Sequence, residues 1–242
     1  MTNLPGDTMS TVTDSVVSRA KPRPAAVPVS RPLDLVSLHV PKAFGTSLCE
    51  VLIGHYGRHR IAGDYETFLE DDRPAVDRVA RPALSPAATV VHGHFPAIRY
   101  AAVPARRRIA FLREPIRRTL SHYLFWVNEP KHGNLVHDRL LDERLGLLDF
   151  AALPQIRRFY AETIFGGCNV ASFDLIGVVE KLDRDWPRFQ RLTGISASLP
   201  HLNRNGFPGY AEIVAKVLDD QALMRVLRRI LEDDIRFYEQ FL

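Results

Sequence analysis

Lys42, Thr46 and Ser47 lie together in Leu38-His39-Val40-Pro41-Lys42-Ala43-Phe44-Gly45-Thr46-Ser47-Leu48, a segment that reads as a buried strand, a tight loop and the start of a helix. Such groups hold an anion. Backbone N–H groups at a helix N-terminus aim at the ligand with the helix dipole behind them, a lysine adds a point charge, and hydroxyls donate to the anion's oxygens. A strand–loop–helix equipped in this way points to a nucleotide phosphate and to group-transfer chemistry. The loop departs from the Walker A pattern, because its lysine precedes the glycine, and it contains no G-x-G-x-x-G. Read alone, it is equally a Pro/Gly loop with an ordinary Thr/Ser cap.

A second element bears on the same chemistry. Arg108-Ile109-Ala110-Phe111-Leu112-Arg113-Glu114-Pro115 reads as a short apolar strand ending in an arginine, with Pro115 suited to the first turn of a helix. Ile116, Leu120, Tyr123, Leu124 and Val127 continue that helix at helical spacing, and Ser121 lies on it. An arginine fork at the strand end and a serine hydroxyl two turns along the helix can close on one phosphate. The alternative is a surface arginine and a helix serine with no shared ligand.

These two elements resemble those of the sulfotransferases that use 3′-phosphoadenosine 5′-phosphosulfate (PAPS), in particular the carbohydrate branch that includes heparan sulfate 2-O-sulfotransferases and bacterial relatives. His39-Val40-Pro41-Lys42-Ala43-Phe44-Gly45-Thr46-Ser47 is similar to the family's 5′-phosphosulfate loop, and Leu112-Arg113-Glu114-Pro115 with Ser121-His122-Tyr123 to its 3′-phosphate element. Val91-His92-Gly93-His94-Phe95-Pro96 resembles the segment carrying the catalytic histidine. Phe173–Leu182 and His201-Leu202-Asn203-Arg204-Asn205 resemble the late strand and the loop after it. The family threonine after the lysine is Ala43 here, followed by the bulky Phe44. Backbone N–H groups survive this change, and Phe44 is expected to help shape the acceptor side.

The resemblance implies sulfuryl transfer from PAPS to a hydroxyl, with no metal. His94 is the expected base and His92 a helper or second choice. Lys42 would sit at the bridging oxygen. Pro41, Lys42, Ala43, Phe44, Gly45, Thr46 and Ser47 would cradle the 5′ end. Arg113 and Ser121 would hold the 3′-phosphate, with Arg204 reaching the nucleotide from the late loop. A glycan or glycoconjugate is the expected acceptor. Two rivals remain: a small-molecule kinase using ATP, which needs magnesium and a nearby carboxylate, and a non-catalytic nucleotide- or glycan-binding protein.

The 242 residues suit one α/β domain with a substantial core. Strands alternating with helices predict a P-loop-like three-layer fold: a central parallel sheet flanked by helices, with Lys42, His94 and Arg113 all following strands. Expected strands are Leu35–Val40, Thr89–His92, Arg108–Leu112 and Asp174–Val179. Expected helices are Thr46–Tyr56, Pro115–Asn128, Phe150–Phe165 and Leu182–Leu192, with a short one at Tyr65–Asp71. The 129–146 stretch reads as a lid, part of the acceptor groove or a plain surface excursion. From Ile213 to Tyr238 the apolar spacing is that of one amphipathic face, packed on the core or against a second copy.

Residues 1–32 are rich in Ser, Thr, Pro and Ala and read as a disordered leader to a single domain at 33–242. They contain no apolar run long enough for a signal segment or a membrane span, so the expectation is a cytoplasmic protein. The net charge of +4, with arginine pairs such as Arg117-Arg118 and Arg228-Arg229, favours anionic partners, although any one pair reads first as a solvated face. No motif for nucleic acid is present. Cys49 and Cys168 are two thiols without a disulfide framework, and no Cys/His spacing suits a metal.

Overall fold

The computed structural model describes residues 31–65, 84–199 and 207–242. Its centre is a five-stranded, all-parallel sheet in the order β2-β3-β1-β4-β5. The strands are β1 (Leu35–Leu38), β2 (Ile61–Asp64), β3 (Val90–Gly93), β4 (Arg108–Leu112) and β5 (Leu175–Val178). All but β2 are short apolar runs buried on both faces, as expected of strands covered by helices on both sides.

Alternate residues along the strands feed two separate cores. Leu35, Val90, Ile109, Phe111 and Leu175 pack with Leu48 and Leu52 of α1 (Gly45–Tyr56) and with residues of a later helix. Val36, Leu38, Val91, Ala110, Leu112, Ile176 and Val178 face the other way, onto a larger core. That second core is built from Trp126 of α2 (Pro115–Trp126), Val136 and Leu140 of α3 (Leu135–Asp142), and Phe150 of α4 (Leu147–Ala152). Ile156 of α5 (Pro154–Arg157) and Phe159, Tyr160 and Ile164 of a π-helical turn (Phe159–Ile164) complete it. The helix on the first face is α6 (Leu182–Thr193), which supplies Trp186 and Phe189. Three helices, α7 (Tyr210–Asp219), α8 (Gln221–Ile230) and α9 (Glu232–Glu239), end the chain.

Several sequence expectations change. The β2 strand replaces what carried no strand signal, and the 129–146 stretch contains α3. The helix expected over Phe150–Phe165 is broken into α4, α5 and the π-helical turn, with Pro154 starting α5. The C-terminal face is three helices, because the Asp220 side chain accepts from Ala222 and Leu223 N–H and starts a new helix there. Leu227, Leu231 and Tyr238 of that face are buried, whereas Ile213 and Val226 are exposed. Cys49 and Cys168 are free, half-buried thiols. Residues 1–30, most of the expected Tyr65–Asp71 helix, and Arg204 with its loop lie outside the described residues. No helix among the described residues is long and apolar enough to cross a membrane.

Candidate functional site

The strand order places the site. β1 lies between β3 and β4, the point at which the chain reverses its direction across the sheet, and ligands in open parallel sheets bind beyond the carboxyl ends of strands at such a point. A cavity of about 1080 Å³ opens there. Lys42 and the loop through Ser47 line it, as do His94 after β3, Arg113 after β4, and Arg117 and Ser121 on α2.

The loop after β1 is built around two residues in the left-handed region, Lys42 (φ 65°) and Phe44 (φ 73°). Neither is glycine, and such a backbone costs about 1–2 kcal/mol per residue. A turn closed by the Ala43 N–H donating to the Val40 carbonyl at 3.1 Å holds the loop. α1 then begins with no side chain capping it, and its first residues form part of the cavity wall. The first N–H groups of a helix that no side chain caps, at the positive end of the dipole, suit an anion. Gly45 is required there: a Cβ would lie 1.6 Å from His39 Cδ2. Phe44 lines the cavity, but its ring sits edge-on to Phe111 and Trp186, at 5.4 and 5.9 Å, so it also belongs to the core under α1.

Arg113 is fixed from both sides. Its N–H donates to Tyr160 Oη at 3.1 Å, and that hydroxyl donates back to the Arg113 carbonyl at 2.6 Å. The guanidinium Nη1 donates to the Lys42 carbonyl at 3.3 Å, which joins the β4 exit to the lysine loop. Glu114 caps α2, accepting from Ile116 and Arg117 N–H at 3.1 and 2.7 Å, and Pro115 occupies the first turn. The Arg-Glu-Pro sequence is thus an arginine at a strand end, a helix cap and a helix start. Glu180 serves this structure too, accepting from the Glu114 N–H and the Tyr238 hydroxyl.

Lys42 Nζ lies 3.9 Å from the Phe125 ring centroid. Burial, then the neighbouring Arg113 charge, lowers its pKa to about 8. His94 is lowered to about 4, by burial first and then by His92 and Lys42, so its imidazole is neutral at neutral pH. Its Nε2 has no hydrogen-bond partner among the described residues. Gly93 permits close approach at this strand end, since a Cβ would meet the Asp64 carbonyl oxygen at 1.8 Å. Asp64 in turn is buried by Arg99 Nη1 at 2.9 Å and the Tyr100 hydroxyl at 2.9 Å, which anchors the chain just after His94 to β2.

His92 stands apart from the group expected at the site. It is fully buried within the sheet, pairs through Nδ1 with Ser37 Oγ at 2.9 Å on the adjacent strand, and does not line the cavity. Burial lowers it to about 4. His39 stacks on it at 5.1 Å and meets the His94 ring edge-on at 4.3 Å. His92 thus supports His39, and His39 supports His94. The sequence reading left His39 out of the site, along with Arg117, His122, Phe125 and Asn134, all of which line the cavity. His39 opens the phosphate-loop motif and His122 follows Ser121, so motif neighbours were the available signal.

The lining is cationic. Lys42, Arg113 and Arg117 stand against Glu212, the one carboxylate among the described lining residues. No three His, Cys, Asp or Glu side chains are grouped to hold a metal among the described residues.

No family model matches the chain, and no curated protein matches it by sequence. Among solved structures it is similar to a sulfotransferase from Alicyclobacillus acidocaldarius, at 17% identity over 87% of this chain and 99% of that one, with a TM-score of 0.37. It is also similar to mouse sulfotransferase SULT7A1 complexed with PAP, at 13% identity over 80% of this chain and 66% of that one, with a TM-score of 0.36. At such scores the likeness carries no argument, and the reading of the site rests on the geometry of this chain.

Proposed function

We propose that the protein transfers the sulfuryl group of PAPS to a hydroxyl. One observation carries the reading: the lysine loop and the arginine–serine element, read from separate parts of the sequence, line one cavity, with the Arg113 guanidinium on the Lys42 carbonyl. Two anion grips that close support a ligand with two anionic ends. The uncapped start of α1, with Thr46 and Ser47, takes the 5′-phosphosulfate, while Arg113 and Ser121 take the 3′-phosphate.

The acceptor hydroxyl attacks sulfur in line with the departing phosphate. As the new O–S bond forms, the acceptor's proton passes to His94, and the bond from sulfur to the bridging oxygen breaks. Negative charge grows on that oxygen, where Lys42 stabilises it more than in the ground state. His94 starts neutral and ready to accept the proton, and the anionic nucleotide beside it raises its basicity. His92 has a supporting place in this scheme, beneath His39. The acceptor is a hydroxyl compound, and a glycan hydroxyl is what the resemblance to the carbohydrate branch implies.

The kinase alternative receives less support. Asp64, the carboxylate at the end of β2, is sequestered by Arg99 and Tyr100. Thermal shift with PAP, PAPS and ATP separates the readings. Stabilisation by the 3′-phosphorylated nucleotides over ATP is expected, and magnesium-dependent stabilisation by ATP alone would refute the proposal.

A further inference from the structure

Arg118 follows Arg117 in what reads as a solvated charge pair, yet Arg117 is exposed and Arg118 is completely buried. Its guanidinium lies over the Phe159 ring at 4.0 Å, donates to Thr119 Oγ1 at 2.8 Å, and meets His122 Nδ1 at 3.4 Å. A buried charge persists only where partners compensate it, and the buried Asp234 carboxylate favours the charged form.

A guanidinium has donors only and keeps its proton in a protein. Facing it, His122 Nδ1 must carry the lone pair, so the proton of the neutral imidazole sits on Nε2. Burial, reinforced by the charges of Arg118 and Lys42, keeps His122 well below the usual histidine range, so it stays neutral at neutral pH. The ring is held in place by Trp126, with centroids 4.1 Å apart, and by Phe150 at 5.6 Å.

His122 lines the cavity beside Ser121. With Nδ1 committed to Arg118, the ring's remaining polar group is a fixed Nε2–H donor. We propose that Arg118 sets His122 as a neutral hydrogen-bond donor to a phosphate oxygen of the nucleotide in the cavity, His122 making the contact and Arg118 acting only as a positioning residue. This rests on the reading of the cavity as a site for PAPS and its product PAP.

Imidazole ¹⁵N NMR of the ligand-free protein reads the tautomer directly. The Nε2–H form is expected for His122 in the wild type, and a mixture in Arg118→Met. On adding PAP, the His122 Nε2–H resonance should shift. The Kd for PAP should rise about tenfold in His122→Phe, the loss of one hydrogen bond to a charged group. In His122→Gln, whose amide can present an N–H near the same point, it should change by less than about threefold. An Nδ1–H tautomer in the wild type overturns the proposal, as does a folded His122→Phe that binds PAP as tightly as wild type. If His122→Phe does not fold, Arg118→Met takes its place: lost tautomer preference with weakened PAP binding supports the proposal, and unchanged PAP affinity overturns it. A wild-type protein that binds no PAP removes the nucleotide reading itself, and this proposal with it. PAP binding that is indifferent to His122 removes the proposal alone.

Discussion

Two helices begin at the mouth of the same cavity, and they begin differently. α2 is self-sufficient: the Glu114 carboxylate accepts from two of its first N–H groups, and Pro115 has no N–H to satisfy. α1 has no side-chain cap, starts from a strained left-handed Phe44, and presents its first turn to the cavity. The capped helix contributes side chains, namely Ser121 and His122 along its length and Arg113 just before it. The uncapped helix offers its first backbone N–H groups, with Thr46 and Ser47 beside them. An anion is the natural cap for α1, and α2 has no need of one. In the proposed function the pair divides the labour of holding a ligand with two anionic ends.

The largest effects should fall on the chemistry between the helices. Replacing Lys42 or His94 by Ala is expected to lower turnover at least about 100-fold. His94→Ala should retain PAP binding, which separates a base from a binding group. Wild-type turnover in both variants would defeat the assignment.

Arg113→Ala should act mainly on affinity, raising the PAP Kd about 10–100-fold, as expected for charge-assisted hydrogen bonds. Calorimetric titration checks this. Equal affinity would leave the α2 side without a ligand role.

The pH dependence sharpens the α1 side. With Lys42 at about 8 in the free protein, the cation is already present below that pH. A bound anion raises the lysine pKa, so above pH 8 binding must bring a proton and PAP affinity should fall as pH rises, by up to about tenfold per unit. Affinity that stays flat between pH 7 and 9 would mean that Lys42 does not meet the anion.

The smallest effect tests the capped helix. Glu114→Ala should cost about 1 kcal/mol of stability in denaturant unfolding, the usual worth of an N-cap, and leave the PAP Kd within about threefold. A large loss of binding would show that α2, too, relies on its first turn for the ligand.

Much of this division was legible in the sequence. The apolar runs of β1, β4 and β5 gave their strands to within a residue or two, and Glu114-Pro115 marked the start of α2. The three cavity residues Lys42, His94 and Arg113 all stood at strand ends. β2 was not legible, since Ile61-Ala62-Gly63-Asp64 is short, half-buried and ends in a carboxylate. Arg99 and Tyr100, more than thirty residues away, are what make that carboxylate buriable among the described residues. His92 and His94 look alike in the chain, and the alternation of a strand and its exit separates them: one points into the sheet beside Ser37, the other reaches the cavity. Arg118 could not be distinguished from Arg117 without knowing that the Phe159 ring would cover it. The left-handed Lys42 and Phe44 carry no sequence signature, because glycine is the residue that usually announces that conformation.

The most direct test compares nucleotides that fill one grip or both. Titration calorimetry with PAP, 5′-AMP and 3′-AMP should give PAP the tightest binding by about tenfold or more over either monophosphate. Arg113→Ala should erase the advantage of PAP over 5′-AMP while leaving 5′-AMP itself nearly unchanged. PAP binding no tighter than 5′-AMP in the wild type would contradict the account, because the arginine–serine element would then hold no phosphate.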